Sequence, residues 1–353
     1  MKIDLVRRPL VTIFVVAAMS LVSSGAVAQA QPTSTVRCGD VITENTVLAH
    51  DVGPCPDNGI IMGSDRIRLD LNGHRVFGTP DHGDGAGVLL YQRTGVQVTG
   101  GTVSDFDAGV AIEGGSGNRI TNITARDNIG HTGASDDQQD AQFGDGIAIL
   151  SSTDNLVSRS QVIHNGPFSG IGLFQEVDED HPREVAGPTT GNRIQYNVVS
   201  DNDVCRVPPG DPDFPRGLCD NDGIRLEPGV HDNVVSNNTV TGSALDGIAL
   251  FFQAADNVVT NNAVSDNGFH GASHRKGDGI RVFLEADRTR INANEVFDNA
   301  AYGIIVGSLD NRILGNKTGG NEISDLFDQN EGCDGNQWRG NTFDTASPDC
   351  TIG

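Results

Sequence analysis

The sequence predicts an all-β fold in which the chain coils as a solenoid of short strands. One observation is a motif of Gly, then Ile or Val, any residue and an aliphatic residue. It occurs nine times between Gly59 and Gly303, at intervals as short as 22 to 24 residues. A second observation is that columns of Asn recur between these motifs. Fixed-period similarity is typical of a solenoid, and short alternating segments without a helical period exclude leucine-rich and helical repeats.

The first thirty residues predict an export signal that is absent from the mature protein. A charged start precedes an apolar run from Leu10 to Val22, and small residues offer cleavage after Ala28 or Ala30. An arginine pair near the start leaves both general secretory and twin-arginine export open. We therefore expect a secreted or periplasmic protein whose residues 31–353 form a single domain.

The six cysteines predict disulfides, because they fall into three close pairs in an exported chain. The alternative is a metal site, but no Cys has the two-residue spacing or the nearby His that zinc sites show. Local pairing gives three disulfides: Cys38 with Cys55, Cys205 with Cys219, and Cys333 with Cys350.

Two columns of Asn predict ladders along the coil, since stacking of the units places identical positions about 4.8 Å apart. Each side-chain amide both donates and accepts hydrogen bonds, so stacked Asn can bond up and down the coil. The first column contains Asn118, Asn155, Asn192, Asn233, Asn257, Thr289 and Asn311. The second contains Asn128, Asn165, Asn202, Ser243, Asn267, Asn299 and Asn321.

This repeat resembles the right-handed parallel β-helix family of secreted and periplasmic proteins. That family includes polysaccharide lyases, uronan C5-epimerases and the accessory protein of nitrous oxide reductase. The resemblance implies a right-handed single-stranded parallel β-helix of about 10–11 rungs, with its first rung at 38–78 and its closing rung at 326–353. One scaffold hosts many chemistries, and the signature motifs of polygalacturonases and alginate epimerases are absent from the sequence. The resemblance therefore transfers no catalytic residue.

Insertions predict that the Gly-Ile strand is the floor of a groove. Extra residues enter before the Gly at 129–143, 203–220 and 268–276, and after the strand at 176–188. Loops on a rigid scaffold are where binding sites tend to lie, although any solvated corner tolerates insertion.

The residue between the two aliphatics of each motif should point outward and form the floor. The column is Ile61, Leu89, Ala111, Ala148, Gly172, Arg225, Ala249, Arg281 and Ile305. Its small residues would leave room for a ligand. Arg225 and Arg281 stand two rungs apart, and their guanidinium groups suit the binding of a carboxylate or sulfate.

Three carboxylates precede the Gly on consecutive rungs, namely Asp222, Asp246 and Asp278. Like charges about 5 Å apart raise pKa values or require a cation, and paired carboxylates serve general acid and base chemistry. They are candidate catalytic residues. The structural alternative is that Asp before Gly is favoured wherever the chain turns.

The insertion "GFHGASHRK" adds further candidates beside this floor. Proton abstraction next to a sugar carboxylate needs a base and a positive group, which His270, His274 and Lys276 would supply. Arg275 would bind substrate. Phe251 and Phe283 point outward and would stack on sugar faces, or else pack against the loops.

The composition limits the classes of partner that the protein is expected to bind. The net charge of −23 repels nucleic acid and anionic lipid, and no second stretch approaches the roughly 18 apolar residues of a membrane span. We expect a monomer whose partner is an acidic polysaccharide. Calcium is the one cofactor considered, at His131, Asp136, Asp137 and Asp140, but their spacing is not that of a regular calcium loop.

The first hypothesis is a lyase or C5-epimerase acting on an acidic polysaccharide, with a hydrolase less favoured. The second is a non-catalytic glycan-binding or structural cell-envelope protein, which the 5% aromatic content favours. Copper delivery is the weakest hypothesis, because the sequence has no Met cluster and no dense His site.

Overall fold

The chain coils through three short strand positions per turn, and equivalent strands of successive turns pair in parallel. This computed structural model describes residues 33–79, 85–130, 144–175, 187–205, 221–269 and 275–353. Within them the strands form two sheets, accompanied by two short 3-10 helices at Glu331–Cys333 and Asp349–Ile352. Pro32–Gly353 is one compact unit.

The first sheet, which carries the Gly-Ile motifs, has twelve strands and is called the Gly-Ile sheet below. Its strands are Asp40–Ile42, Ile60–Met62, Ala86–Tyr91, Ala108–Glu113, Asp145–Leu150, Ser169–Phe174, Asp222–Leu226, Ile248–Leu250, Ile280–Val282, Tyr302–Val306, Ser324–Asp328 and Ala346–Ser347.

The second sheet has twenty strands, because most turns contribute two short strands separated by a corner. They are Thr33–Ser34, Thr46–Leu48, Val52–Cys55, Arg68–Asp70, Arg75–Gly78, Gln97–Ser104, Arg119–Arg126, Leu156–Ser158, Gln161–Ile163, Arg193–Gln195, Val198–Ser200, Val234–Ser236, Thr239–Thr241, Val258–Thr260, Ala263–Ser265, Arg290–Asn292, Glu295–Phe297, Arg312–Leu314, Lys317–Gly319 and Gln337–Arg339. Gln97–Ser104 and Arg119–Arg126 run through both strand positions and so join the two halves of this sheet.

The core fills the inside of the coil with aliphatic side chains. In most three-residue strands of the second sheet the central residue points inward and is buried, as the period of two requires. One inward column is fully buried and consists of Val98, Ile120, Val157, Ile194, Val235, Val259, Ile291 and Ile313. Burial of each such side chain contributes roughly 1.5–3 kcal/mol, so the coil is stabilised evenly along its length.

The two predicted Asn ladders are present. In the first, the backbone N–H and the Nδ2 of Asn155 both donate to Asn192 Oδ1, at 2.9 and 3.0 Å. In the second, Asn267 donates to Asn299 Oδ1 in the same way, at 3.2 and 2.9 Å. These side chains are almost fully buried, so the ladders satisfy corner amides that water cannot reach.

A third ladder lies between the other two and was not predicted. Its members are Ser160, Asn197, Asn238, Asn262, Asn294, Asn316 and Asn341. The signal was in the sequence, because Asn or its substitute recurs every five residues across each turn, as in Asn257, Asn262 and Asn267. The three ladders therefore lie before, between and after the two short strands of each turn.

Disulfides close both ends of the coil as predicted. Cys38 is bonded to Cys55 and Cys333 to Cys350, each across a sequence separation of 17. The third expected pair includes Cys219, which lies outside the described residues. No helix in the described part of the chain is long and apolar enough to cross a membrane.

Truncation of one ladder member should destabilise the coil. Asn262 Oδ1 accepts two hydrogen bonds from Asn238, and its Nδ2 donates to Asn294 Oδ1 and Val235 O. Asn262→Ala leaves these buried groups unpaired, and we expect the free energy of unfolding to fall by about 3 kcal/mol in urea denaturation. Asn261→Gly, at an exposed left-handed corner of the same turn, should change it by less than about 1 kcal/mol. Equal losses in the two variants would contradict a stabilising role for the ladder.

Candidate functional site

The predicted floor column is present in register. Ala148, Gly172, Arg225, Ala249, Arg281 and Ile305 are successive Cα partners along the Gly-Ile sheet. The expectation that its small residues leave an open floor is wrong, because Ala148 and Ala249 are at most 2% exposed. Neighbouring side chains fill the space. A Cβ on Gly172 would lie 2.2 Å from the ring of Phe174, so this ring covers the glycine.

The three predicted carboxylates form a buried ladder. Asp222, Asp246 and Asp278 are at most 1% exposed. Asp222 Oδ1 accepts the backbone N–H of Asp246 at 2.9 Å, and Asp246 Oδ1 accepts that of Asp278 at 2.8 Å. Asp278 Oδ1 in turn accepts the N–H of Tyr302 at 3.0 Å. One oxygen of each carboxylate therefore has the scaffold role that the structural alternative assigned to it.

The second oxygens face three arginines. Arg275 binds Asp246 through two parallel hydrogen bonds, at 2.9 and 2.5 Å. Arg281 Nη1 donates to Asp278 Oδ2 at 2.7 Å. The structure therefore brings Arg275 and Arg281 to the carboxylates and pairs both within the protein.

Arg225 makes the corresponding contacts on the first rung of this ladder. Its Nε donates to Glu227 Oε1 at 2.6 Å, and its Nη1 lies 3.4 Å from Asp222 Oδ2. Glu227 is also buried, so Arg225 lies between two carboxylates. Glu227 was not among the predicted site residues, although it follows Arg225 by two positions, which is the spacing of one strand face.

Aromatic rings flank two of the arginines. The Arg225 guanidinium lies 4.3 Å from the ring centre of Phe168 and 5.8 Å from that of Phe251. The Arg281 guanidinium lies 3.8 Å from the ring of Phe283 and 6.0 Å from that of Phe251. Stacking of this kind holds the guanidinium planes in place. The sequence did not indicate Phe168 as a site residue, because Phe168 lies just before the strand Ser169–Phe174 and outside the repeated motif.

Burial controls the protonation of this ladder. It raises the pKa of Asp222 well above its usual range, the neighbouring Asp246 charge raises it further, and Arg225 opposes both. The same causes raise the pKa of Asp278 to about 6, with Arg275 and Arg281 limiting the rise. A carboxyl that titrates near neutral pH beside guanidinium groups is able to exchange protons in an enzyme site.

Asp145 extends this chemistry two rungs toward the N-terminus. Burial raises its pKa to about 8, although the Ser169 hydroxyl donates a hydrogen bond to Asp145 Oδ1. Its Oδ2 has no hydrogen-bond partner among the described residues. A pKa of about 8 favours the protonated, neutral form of Asp145 at pH 7.

Lys276 is not brought to the ladder. The Lys276 ammonium pairs with the Glu322 carboxylate, although the neighbouring Arg275 binds Asp246. His270 and His274 lie outside the described residues. So do the four residues considered for calcium, and the described part of the chain holds no group of three or more potential ligands placed for a metal ion.

The stacked turns and the polar ladders define a parallel β-helix protein. The chain belongs to the right-handed beta helix region family, whose model matches residues 58–210 and 217–323. This confirms the predicted fold class and the resemblance noted from the sequence. No curated protein matches the sequence.

Three solved structures share the fold at low identity. An alginate lyase from Paenibacillus sp. str. FPU-7 is 14% identical, with a TM-score of 0.52 over 88% of this chain and 91% of that one. The mannuronan C-5 epimerase AlgE4 A-module of Azotobacter vinelandii is 14% identical, with a TM-score of 0.53 over 86% and 80%. A double mutant of the periplasmic alginate epimerase AlgG is 14% identical, with a TM-score of 0.52 over 87% of this chain and 70% of that one. Identity at this level relates the folds alone.

The raised pKa of Asp145 should make stability depend on pH. The folded protein holds this proton up to a pKa of about 8, whereas the unfolded chain releases it near the ordinary value of about 3.9. The stabilisation is therefore complete below about pH 4 and is lost as the pH rises toward 8. In Asp145→Asn the side chain stays neutral. We expect its free energy of unfolding, from urea curves, to decline between pH 5 and 8.5 by at least about 1 kcal/mol less than that of the wild type.

The matched control is Asp266→Asn, at an exposed corner with φ 57° that Asn also adopts. It should keep the pH dependence of the wild type. An unchanged pH dependence in Asp145→Asn would show that the pKa of Asp145 is not raised.

Proposed function

We propose that the protein binds a polysaccharide across the corner that follows the Gly-Ile strands. The observation that carries the proposal is an apolar surface formed by the exposed Phe252 and Leu284 with the half-buried Phe251 and Phe283, called the phenylalanine corner below. Phe252 and Leu284 occupy equivalent positions on neighbouring rungs and are each 51% exposed. Exposed apolar surface with a polar rim is typical of a binding site.

The backbone at this corner supports a ligand-binding role. Phe252 has φ 47° and Leu284 has φ 53°, in the left-handed region that bulky residues rarely adopt. Many other corners of the coil place Asp or Asn there, as at Asp256 and Asn261, although Tyr196 also adopts this region. At this corner two large apolar side chains on neighbouring rungs are held in an unfavourable conformation without being buried, a combination found at functional sites.

The chemistry around the corner suits a sugar. Phe251 and Phe252 have ring centres 6.3 Å apart at an angle of 53°, so the two rings present differently oriented faces. Gln253 Nε2 donates to Glu285 Oε2 at 2.9 Å beside them, which places hydrogen-bonding groups next to the apolar surface. The alginate lyase and epimerases that share the fold act on a polysaccharide, which supports the same ligand class here.

Removal of the apolar corner should weaken binding. For Phe252→Ala combined with Leu284→Ala, we expect Kd for the bound polymer to rise about tenfold, or about 1.4 kcal/mol. Isothermal titration against uronate, sulfated and neutral polysaccharides provides the measurement. Tyr196→Ala removes a 54% exposed aromatic at another left-handed corner and should leave Kd unchanged. If the wild type binds none of the polymers, the proposed function is wrong.

A second candidate is turnover of a uronate polymer by elimination or C5 epimerisation. It is favoured by Asp278, whose pKa of about 6 and contact with Arg281 provide a base and a positive group together. A substrate carboxylate bound by Arg281 would displace Asp278 and leave it free to accept the C5 proton. The positive charge would then stabilise the resulting carbanion, whose electron pair either expels the C4 oxygen, which takes a proton from water, or accepts a proton on the opposite face of C5.

This chemistry can be tested by proton exchange at C5 in deuterated water and by the absorbance of unsaturated products. If the wild type turns over a polyuronate, Asp278→Asn should lower the rate at least about a hundredfold. Asp266→Asn serves again as the exposed carboxylate control. If the wild type binds the polymer without reaction, the non-catalytic glycan-binding function is the one that remains.

A further inference from the structure

The outer face of the second sheet carries a patch of arginines on three successive rungs. Arg290 and Arg312 are direct Cα partners on neighbouring strands. Arg339 lies on the next rung, one outward position further along its strand. All three are exposed, and together they are called the C-terminal arginine patch below.

The patch places like charges side by side, with no counter-ion from the described residues. Among the described residues, no carboxylate lies within 4.0 Å of these three guanidinium groups. Other cations on this part of the surface do have carboxylate partners: Arg288 binds Asp256 at 2.7 Å and Lys317 binds Glu295 at 2.9 Å. Partners on neighbouring rungs stand about 4.8 Å apart, so Arg290 and Arg312 repel each other. An anion bound between them would remove that repulsion.

The patch also departs from the pattern of its own column. Arg193 occupies the same outward position but has Leu156 and Val234 as its partners on either side. Arginines side by side occur toward the C-terminal end, in a chain whose net charge is −23. They form a local positive surface that a polyanion can approach despite the surrounding charge.

We propose that the C-terminal arginine patch binds the carboxylate or sulfate groups of an acidic polysaccharide. This inference rests on the proposed polysaccharide binding and assigns the class of ligand. Leu284 of the phenylalanine corner precedes Arg290 by six residues, so the two surfaces lie at most about 20 Å apart along one rung. A single polymer chain that stacks on the corner therefore reaches the patch.

Guanidinium chemistry suits this ligand. Each arginine offers parallel donors that match the two oxygens of a carboxylate or sulfate. The repeat of a charged polymer then supplies one anion after another to a row of arginines. Beside the patch, Asn292 Nδ2 donates to Thr260 Oγ1 at 2.7 Å, so hydrogen-bonding side chains adjoin the charges.

The test is the affinity for polygalacturonate, heparin and dextran as a function of salt. For the double variant Arg290→Ala, Arg312→Ala we expect Kd for an acidic polymer to rise at least about tenfold and its salt dependence to weaken. Arg193→Ala removes one exposed arginine from the same column and should keep Kd within about twofold. The matching variant with two Lys keeps the charge but loses the paired donors, and should lie between the two.

The possible outcomes separate this inference from the proposed function. Equal affinity of the wild type and the double Ala variant for acidic polymers overturns the role of the patch, while loss of binding in the phenylalanine corner variant keeps the proposed function. Binding of dextran without binding of either acidic polymer likewise overturns the role of the patch and keeps the proposed polysaccharide binding. Failure to bind any polymer overturns both. Capture of anionic lipid vesicles, without binding of polygalacturonate or heparin, also overturns the inference.

Discussion

The stacking of equivalent backbone positions about 4.8 Å apart is the constraint on which the whole molecule depends. Because the strands pair in parallel and in register, any residue type at one position meets its counterpart on the next rung. Asn exploits this repeat best, since its amide donates and accepts along the coil axis. Among the described residues, three such ladders together with the aliphatic columns leave few buried side-chain polar atoms without a hydrogen bond.

The same repeat becomes costly when the repeated side chain is charged. Asp222, Asp246 and Asp278 keep the ladder geometry through Oδ1, yet their negative charges accumulate in a buried column. Arg275 and Arg281 offset part of that charge, and raised pKa values offset more. The carboxylates and arginines thus form one electrostatic unit, in which each arginine lowers the pKa that burial and the neighbouring carboxylates raise.

The sequence predicted what depends on period. The solenoid, the register of the floor column and the two terminal disulfides all follow from spacing alone. Burial of the floor did not, because Phe174 covers Gly172 through a side-chain conformation that no periodic pattern encodes. The pairing of Lys276 with Glu322, rather than with the Asp ladder, depends likewise on where a flexible side chain extends. The third Asn ladder could have been predicted from the recurrence of Asn every five residues. The position of Phe168 over Arg225 could not, because it depends on how the chain folds.

The disulfides at the two ends have a consequence for how the coil opens. In a solenoid each rung contacts only its neighbours, so terminal rungs are the ones expected to fray. Cys38–Cys55 closes a loop in the first turns of the coil, and Cys333–Cys350 closes one in the last turns. Fraying from either end is thereby suppressed, and local opening is shifted to interior rungs.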